Sequence, residues 1–440
     1  MDQVFSGAIG IHFGNTTASV AVWDQGTAKV LHCEDEGPTL PVCVEFKGNN
    51  CTVGERAKQQ SYVGTPFVVY DLMYLLGRPF NDPEIQARRK RLWGFKVIEK
   101  DTQPRVKVTQ PDTGKTDLYS PQQVAAKVIS QLKKTAEAHL KKKVDKVVLS
   151  APLSCDPAQR QAMKEAAEIA GFKVVEFIDE PVAAAITYVE GQKKGKDDKE
   201  DMEMEGMADE GEERVLVFRL GGKTCEATIV SLPSRRRRHP HQQGPPSSPK
   251  VIASVGDSHL GGDNFSKVLY ESSRDEVQQR QGLDVNRADG FTQGMFVSTA
   301  ERAKINLSRL NEAVFAISAF VSPIHHSGAV PRARFEALSS VLRNRIGLLV
   351  DQVFQDAGLA RDSMTRVILV GGSSRIPMIR AMLQRMFKNR PLENADTPKS
   401  FDPFERQDTT NKALHPDEVL AMGAAYQAYA IYGNSSGKEE

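Results

Sequence analysis

Cysteine is scarce in this chain: Cys33, Cys43, Cys51, Cys155 and Cys225 are the five among 440 residues, an odd set with no CxxC pair. That excludes a disulfide scaffold and a cysteine-rich zinc module, and fits reduced, mostly buried thiols of a cytosolic protein. Long apolar runs are also missing. Nothing approaches the ~18 consecutive apolar residues of a membrane helix, and MDQVFSGAIGIHFG at the start lacks the basic and apolar segments of an export signal. Neither export nor anchoring is expected. The third absence is charge of one sign: 58 Lys and Arg meet 56 Asp and Glu, a net +2, so no global field collects DNA or membrane. Electrostatic partners must be sought in local clusters. What is present, 40% hydrophobic and 26% charged residues over 48.5 kDa, describes a globular chain with room for more than one domain.

Two segments break the globular texture. Gly191 to Glu213 mixes acids and lysines without apolar periodicity and is expected to be an acidic linker. Ser234 to Lys250, with SRRRRHP and several prolines, reads as a polar loop closing a hairpin, and Pro391 to Leu414 as a further polar insertion. On both sides of the acidic linker the chain begins alike. AIGIHFGNTTASVAVWDQG (Ala8 to Gly26) and VLVFRLGGKTCEATIVSL (Val215 to Leu232) are each two apolar strands around a Gly-Thr bend. Alternating strands and helices follow in each half, which predicts two α/β lobes with mixed sheets.

Glycine hairpins bring backbone N–H groups close to phosphate oxygens because no Cβ intervenes, and neighbouring threonines add donors. Taken alone, either bend is an ordinary connection. Their duplication, with a third turn at GDSHLGGDNF and a strand-to-helix loop at VGGSSRIP, points to a polyphosphate held between two lobes.

The residues resemble a known family, the nucleotide-binding domain of the 70-kDa heat-shock chaperones. The resemblance runs through both hairpins, AAEIAGFKVVEFIDEPVAAAITYVEG, GDSHLGGDNF, ERAKINLS, PRARFEAL, VILVGGSSRIP and HPDEVLAMGAAYQA, in family order. It is most like the divergent cytosolic, ribosome-associated subgroup. The implied fold is actin-like, with two ribonuclease-H-like lobes, each carrying a smaller subdomain, and a nucleotide cleft between them. Lobe I would span 1–190 with its upper subdomain near 37–119. Lobe II would span 214–414 with its upper subdomain near 251–330, and a final helix (415–432) would return to lobe I before the 433–440 tail. No client-binding domain is expected to follow. ATP or ADP is the implied cofactor, held by Gly14, Asn15, Thr16 and Thr17, by Gly221, Gly222, Lys223 and Thr224, and by Gly261 and Gly262. Glu301, Lys304, Ser308, Gly371, Gly372, Ser373, Arg375 and Asp417 would line the nucleoside pocket.

The family pattern fails at one chemical step. An acid is expected before each glycine turn, to help hold hydrated Mg²⁺, and this chain has His12 and Arg219 there. Lys223 replaces a third glycine, Met73 stands where the family positions water with a lysine, Ile305 replaces a basic side chain beside the base, and Glu226 replaces an Asp. Glu180 and Glu226 remain as candidate catalytic carboxylates. Phosphoryl transfer depends on metal and lysine charge, so weak or absent hydrolysis is expected; no metal ligand is assigned and Mg²⁺ is left open. Arg219 and Lys223 could neutralise a triphosphate directly. A nucleotide-binding module acting in protein folding with a J-domain co-chaperone, with the ribosome as a further candidate partner, is therefore weighed against a working chaperone ATPase and a small-molecule kinase; ERAKINLS argues against the kinase. Three basic runs, Ala87 to Lys96, His139 to Lys146 and Arg235 to Arg238, could meet ribosomal RNA, although such runs commonly just solvate a surface.

Overall fold

The computed structural model describes residues 4–33, 37–48, 50–62, 65–91, 93–109, 113–193, 213–232, 249–318, 324–388, 390–393 and 415–433. Most of the acidic linker, the polar loop with its arginine run, most of the 391–414 insertion and nearly all of the tail lie outside them.

Alternating apolar residues open lobe I with strands β1 (Ile9–Phe13), β2 (Thr17–Asp24) and β3 (Thr27–Val30). β4 (Leu40–Pro41) pairs with β2 in the same sheet, and then come β5 (Val44–Lys47), β6 (Asn50–Val53), α1 (Glu55–Tyr62), β7 (Val68–Val69), α2 (Pro83–Arg91), β8 (Lys96–Lys100), β9 (Gln103–Thr109) and β10 (Thr116–Tyr119), whose strands form two separate small sheets. α3 (Pro121–Leu140) then starts at a Ser120 capping box, in which Ser120 accepts from the Gln123 N–H and the Gln123 side chain accepts from Ser120 N–H. Lobe I closes with β11 (Lys146–Ala151), α4 (Pro157–Ile169), β12 (Val174–Asp179) and α5 (Glu180–Lys193).

Lobe II repeats the plan. It runs β13 (Glu213–Leu220), β14 (Cys225–Leu232), β15 (Lys250–Asp257), α6 (Gly262–Gln281), α7 (Gly290–Leu307), β16 (Glu312–Ser318), β17 (His325–Pro331), α8 (Arg332–Leu338), α9 (Ser340–Ala357), β18 (Arg366–Val370), α10 (Pro377–Met386) and β19 (Leu392–Glu393), after which α11 (Val419–Tyr432) returns to pack on β1, β2, β3 and β11 of lobe I. Gly191–Lys193 therefore finish a helix, Glu213 begins a strand, and Leu392–Glu393 pair in parallel with β18, so the expected linker and insertion are each shorter than their composition suggests.

The two sheets have matching order. β12-β11-β1-β2-β3 in lobe I and β19-β18-β13-β14-β15 in lobe II each join an antiparallel meander to two parallel strands. Between the sheets lie α5 and α11, whose Ala183, Ala184, Val419, Leu420 and Ala424 form one apolar cluster with Val148 of lobe I and Val217, Ile368 and Val370 of lobe II. Small side chains let these helices approach closely: a Cβ built on Gly423 would lie 2.1 Å from the Ala183 carbonyl oxygen. This shared layer sets one hairpin bend opposite the other.

Candidate functional site

The β1–β2 and β13–β14 bends close in the same way, with Gly14 N–H donating to Thr17 O at 3.0 Å and Gly221 N–H donating to Thr224 O at 2.9 Å. They face one another across the cleft. A Cβ on Gly222 would meet Thr16 Cγ2 at 2.5 Å, so the backbone of one bend rests directly on the threonine of the other. The third turn joins them, because Gly262 and Asp263 N–H donate to Gly221 and Gly222 carbonyls at 2.9 and 2.8 Å. Asn15 adds a buried side-chain oxygen that has no hydrogen-bond partner.

A second group adjoins it through Gly262, whose carbonyl accepts from buried Lys304 Nζ at 3.2 Å and whose Cα faces Ser373 Oγ. Gly371, at φ 84°, turns the chain from β18 over Leu220 and donates to Pro416 O at 2.9 Å; Gly372 lies against Asp417, which pairs with Arg375. Ser308 ends α7, its hydroxyl donating to Lys304 O at 3.2 Å. Glu301 is turned toward the opposite lobe. It takes an ammonium contact from Lys58 at 3.1 Å and a short hydrogen bond from Tyr62, both on α1. Burial would raise its carboxyl, yet Lys58, Lys304 and the Tyr62 hydroxyl hold it down at about 2.

At the bends, the two replaced acids form a different electrostatic arrangement. Glu180, at the start of α5 and almost fully buried, has Arg219 Nε 2.9 Å from Oε2 and His12 Nδ1 3.5 Å from Oε1, without an aligned hydrogen bond to either oxygen. His12 Nδ1 instead shares a 2.9 Å hydrogen bond with Ser150 Oγ, and Arg219 also donates to Thr224 Oγ1 at 2.7 Å. Burial, followed by the Arg219 charge, lowers His12 to about 3, so the ring is neutral at physiological pH. Burial also lifts Glu180 to about 7, against the pull of Arg219. A void of about 10 Å³ lies between Glu180, Arg219, Glu226 and Thr228 on one side and Pro181, Val217, Val370 and Leu420 on the other.

Glu226 opposes Arg219 in the strand register but does not pair with it; its carboxylate accepts from Ser254 Oγ at 3.1 Å. Thus Arg219 is committed to Glu180, a more buried partner. Met73 sits in a 3₁₀ turn and packs on the lobe I core. Lys223 reaches across the cleft to Asp71 Oδ1 at 3.1 Å while holding Asp263 Oδ2 at 2.6 Å. Asp71 is buried, takes Trp93 Nε1 at 3.1 Å and lies 3.4 Å from Arg88. Burial opposes the Lys223 charge, but the two carboxylates outweigh it and raise the ammonium's pKa.

This donor set does not fit hydrated Mg²⁺. Glu180, Asp71 and Asp263 are already paired with a guanidinium or an ammonium, Glu226 stands apart on the Thr228 and Ser254 hydroxyls, and no group of three metal-ligating side chains occurs among the described residues. It does fit an anion, given the close bends and nearby cations. Asp71, Asp263, Lys58, Tyr62 and Arg309 are the participants sequence reasoning missed. Asp263 lies within the GDSHLGGDNF turn, whereas Lys58 and Tyr62 come from a polar helix with no local signal. Arg309 is one turn beyond Ile305, and burial followed by the Arg375 charge weakens its hold on its proton.

Residues 8–439 match the family model described as Hsp70 protein. The chain belongs to the Hsp70 family. Its two lobes are thus the actin-like ATPase fold, and the cleft between them is the family's nucleotide cleft. The chain is 33% identical over 438 residues to a ribosome-associated molecular chaperone of Saccharomyces cerevisiae, covering 100% of this chain and 64% of that relative. Against a ribosome-associated molecular chaperone of Eremothecium gossypii it is 32% identical over 434 residues, covering 99% and 63%. "Heat shock cognate 70 kDa protein 3" of Dictyostelium discoideum is 31% identical over 431 residues, covering 98% and 61%. The chain spans a little under two thirds of the length of these Hsp70 relatives. None of its described helices is long and apolar enough to cross a membrane.

Proposed function

We propose that this Hsp70 chain is a cytosolic chaperone module that binds ATP or ADP between its lobes, hydrolyses it poorly, and works with a J-domain co-chaperone at the ribosome. The family match and the names of the relatives support the chaperone and ribosome parts. One observation carries the catalytic part: Arg219 lies against Glu180, and Lys223 lies against Asp71 and Asp263, where a metal-dependent enzyme needs free carboxylates.

The chain's own groups then have these roles. Backbone N–H groups at Asn15, Gly222 and Lys223, with the Thr16 and Thr224 hydroxyls, receive phosphate oxygens. Arg219 and Lys223 supply neutralising charge, while Lys304, Ser308, Ser373 and Arg375 hold the nucleoside and Asp417 orients Arg375. A bound nucleotide would supply the polyphosphate that ties these groups together, adding stability by mass action.

A specific observation favours a second reading. Glu180, raised to about 7 at the start of α5, is suited to accept a proton, as a working ATPase requires. Arg219 opposes that role because a carboxylate held by a guanidinium is a weaker base. Turnover of the unaltered chain against the combined His12→Asp, Arg219→Asp, Met73→Lys variant separates them. The proposal expects a rise from near background in the variant, and equal, substantial rates in both would overturn it.

A further inference from the structure

A surface helix normally carries acids among its lysines, yet the 20 residues of α3 contain only one, Glu137. That carboxylate turns inward to accept Val144 N–H at 3.0 Å and lies 3.7 Å from Lys143. On the exposed face, Lys127, Lys134 and Lys141 recur every seven residues, two helical turns apart. At 1.5 Å rise per residue, successive ammonium positions are about 10 Å apart. The row continues around the α3 terminus through exposed Lys142 and Lys143 to Lys173, in the turn after α4. Lys133, which donates to Gly171 O at 2.6 Å, ties that turn to the helix. Among the described residues, Lys127, Lys134, Lys141 and Lys142 have no carboxylate within ion-pair distance.

The other basic run in the described residues differs. Arg88 is buried against Glu84, Asp71 and the Tyr74 ring, and Arg89 donates to Val97 O, so part of the Ala87–Lys96 run is used internally while Lys90 and Lys96 stay exposed. In the lysine row only Lys143, near Glu137, and Lys173, 3.6 Å from Asp145, have ion-pair partners among the described residues. Helix capping accounts for cations at the last turn, but not for Lys127 and Lys134 further up the helix.

We propose that the exposed face of α3, with the turns at its C-terminal end, is a docking surface for the phosphate backbone of structured RNA. The row is linear, as a strand of phosphates is, and lysines are point charges suited to a backbone rather than to base edges. A protein partner would need an apolar centre, and around this row the large exposed apolar side chains are the scattered Val4, Leu118 and Ile169. The choice of RNA over other polyanions rests on the proposed ribosome role.

The test uses the full chain, a duplex RNA hairpin and polyglutamate as the acidic-protein probe, measured by fluorescence anisotropy across a salt series. The Lys127→Glu, Lys134→Glu, Lys141→Glu variant is compared with a matched Lys29→Glu, Lys250→Glu, Lys388→Glu variant, each checked for an unchanged melting temperature. The first is expected to weaken RNA binding at least tenfold and make the log–log salt dependence shallower by roughly two to three. The matched variant should retain most of the affinity. Equal losses in both variants, or tighter binding of polyglutamate than RNA, would overturn the surface. Co-sedimentation with ribosomes separates this inference from the ribosome reading. If the α3 variant pellets as well as the unaltered chain, the surface fails and the ribosome reading stands. If the unaltered chain binds the hairpin through α3 but never pellets, the surface stands and the ribosome reading fails.

Discussion

Arg219 and His12 change the chemistry around Glu180 in opposite pH ranges. His12 falls to about 3 in the folded protein, so its contribution to stability is present above its ordinary pKa and is lost as pH falls through the range from about 6.5 to 3. Glu180 rises to about 7, so the folded state retains a proton longer than the unfolded chain does. Its contribution is present below about 4.5 and is lost as pH rises toward 7. Arg219 limits that loss by pairing with the charged form. Arg219→Ala is accordingly expected to destabilise the protein by about 3 kcal/mol at pH 8, by leaving a buried carboxylate without its cation, and by clearly less at pH 6. Urea unfolding at the two pH values checks this, and an equal loss at both would place the role of Arg219 in packing. His12, Arg219 and Met73 were legible in the sequence as departures from a motif. Their new partners were not, because Glu180 and Ser150 lie far away along the chain and only the shared α5–α11 layer brings them within reach.

The helices and hairpins were the most legible elements. Gly-Thr bends between apolar strands, the Ser120 capping box and the small-residue texture of α11 are all local signals. The close approach of α11 to α5 is less so, since Gly423 resembles any helical glycine until Ala183 O is found where its Cβ would be. Gly423→Ala should therefore cost about 2 kcal/mol through overpacking, despite the better helix propensity of alanine, and a lowered urea midpoint would show it. The bends predict a different outcome. A Cβ at Gly222 meets the Thr16 side chain rather than backbone, so Gly222→Ala should reduce nucleotide affinity at least tenfold with a smaller loss of stability; calorimetry and thermal melting on one preparation separate the two effects.

Across the molecule, the near-neutral charge conceals ion pairs that span the cleft. Lys223 joins Asp71 to Asp263, Lys58 joins Glu301, His259 lies 2.8 Å from Glu84, and Tyr74 donates to Ser258 O at 3.0 Å. No sequence run announces these contacts, since all but Lys223–Asp263 join residues more than a hundred and fifty apart. Together they tie the two halves of the chain across the cleft, and Lys223→Ala should raise amide hydrogen exchange in α1 and in the turn around Asp71 without lowering protection in α11. Lys223 also occupies Asp71 and Asp263 beside the bends, which links cleft closure to the poor hydrolysis proposed above. Titration calorimetry of ATP into the purified chain, with Mg²⁺ and then with excess chelator, followed by measurement of ADP formed, tests that link most directly. Comparable affinity in both conditions with ADP formation at background is the predicted result, whereas binding that requires Mg²⁺ and proceeds to steady turnover would contradict it.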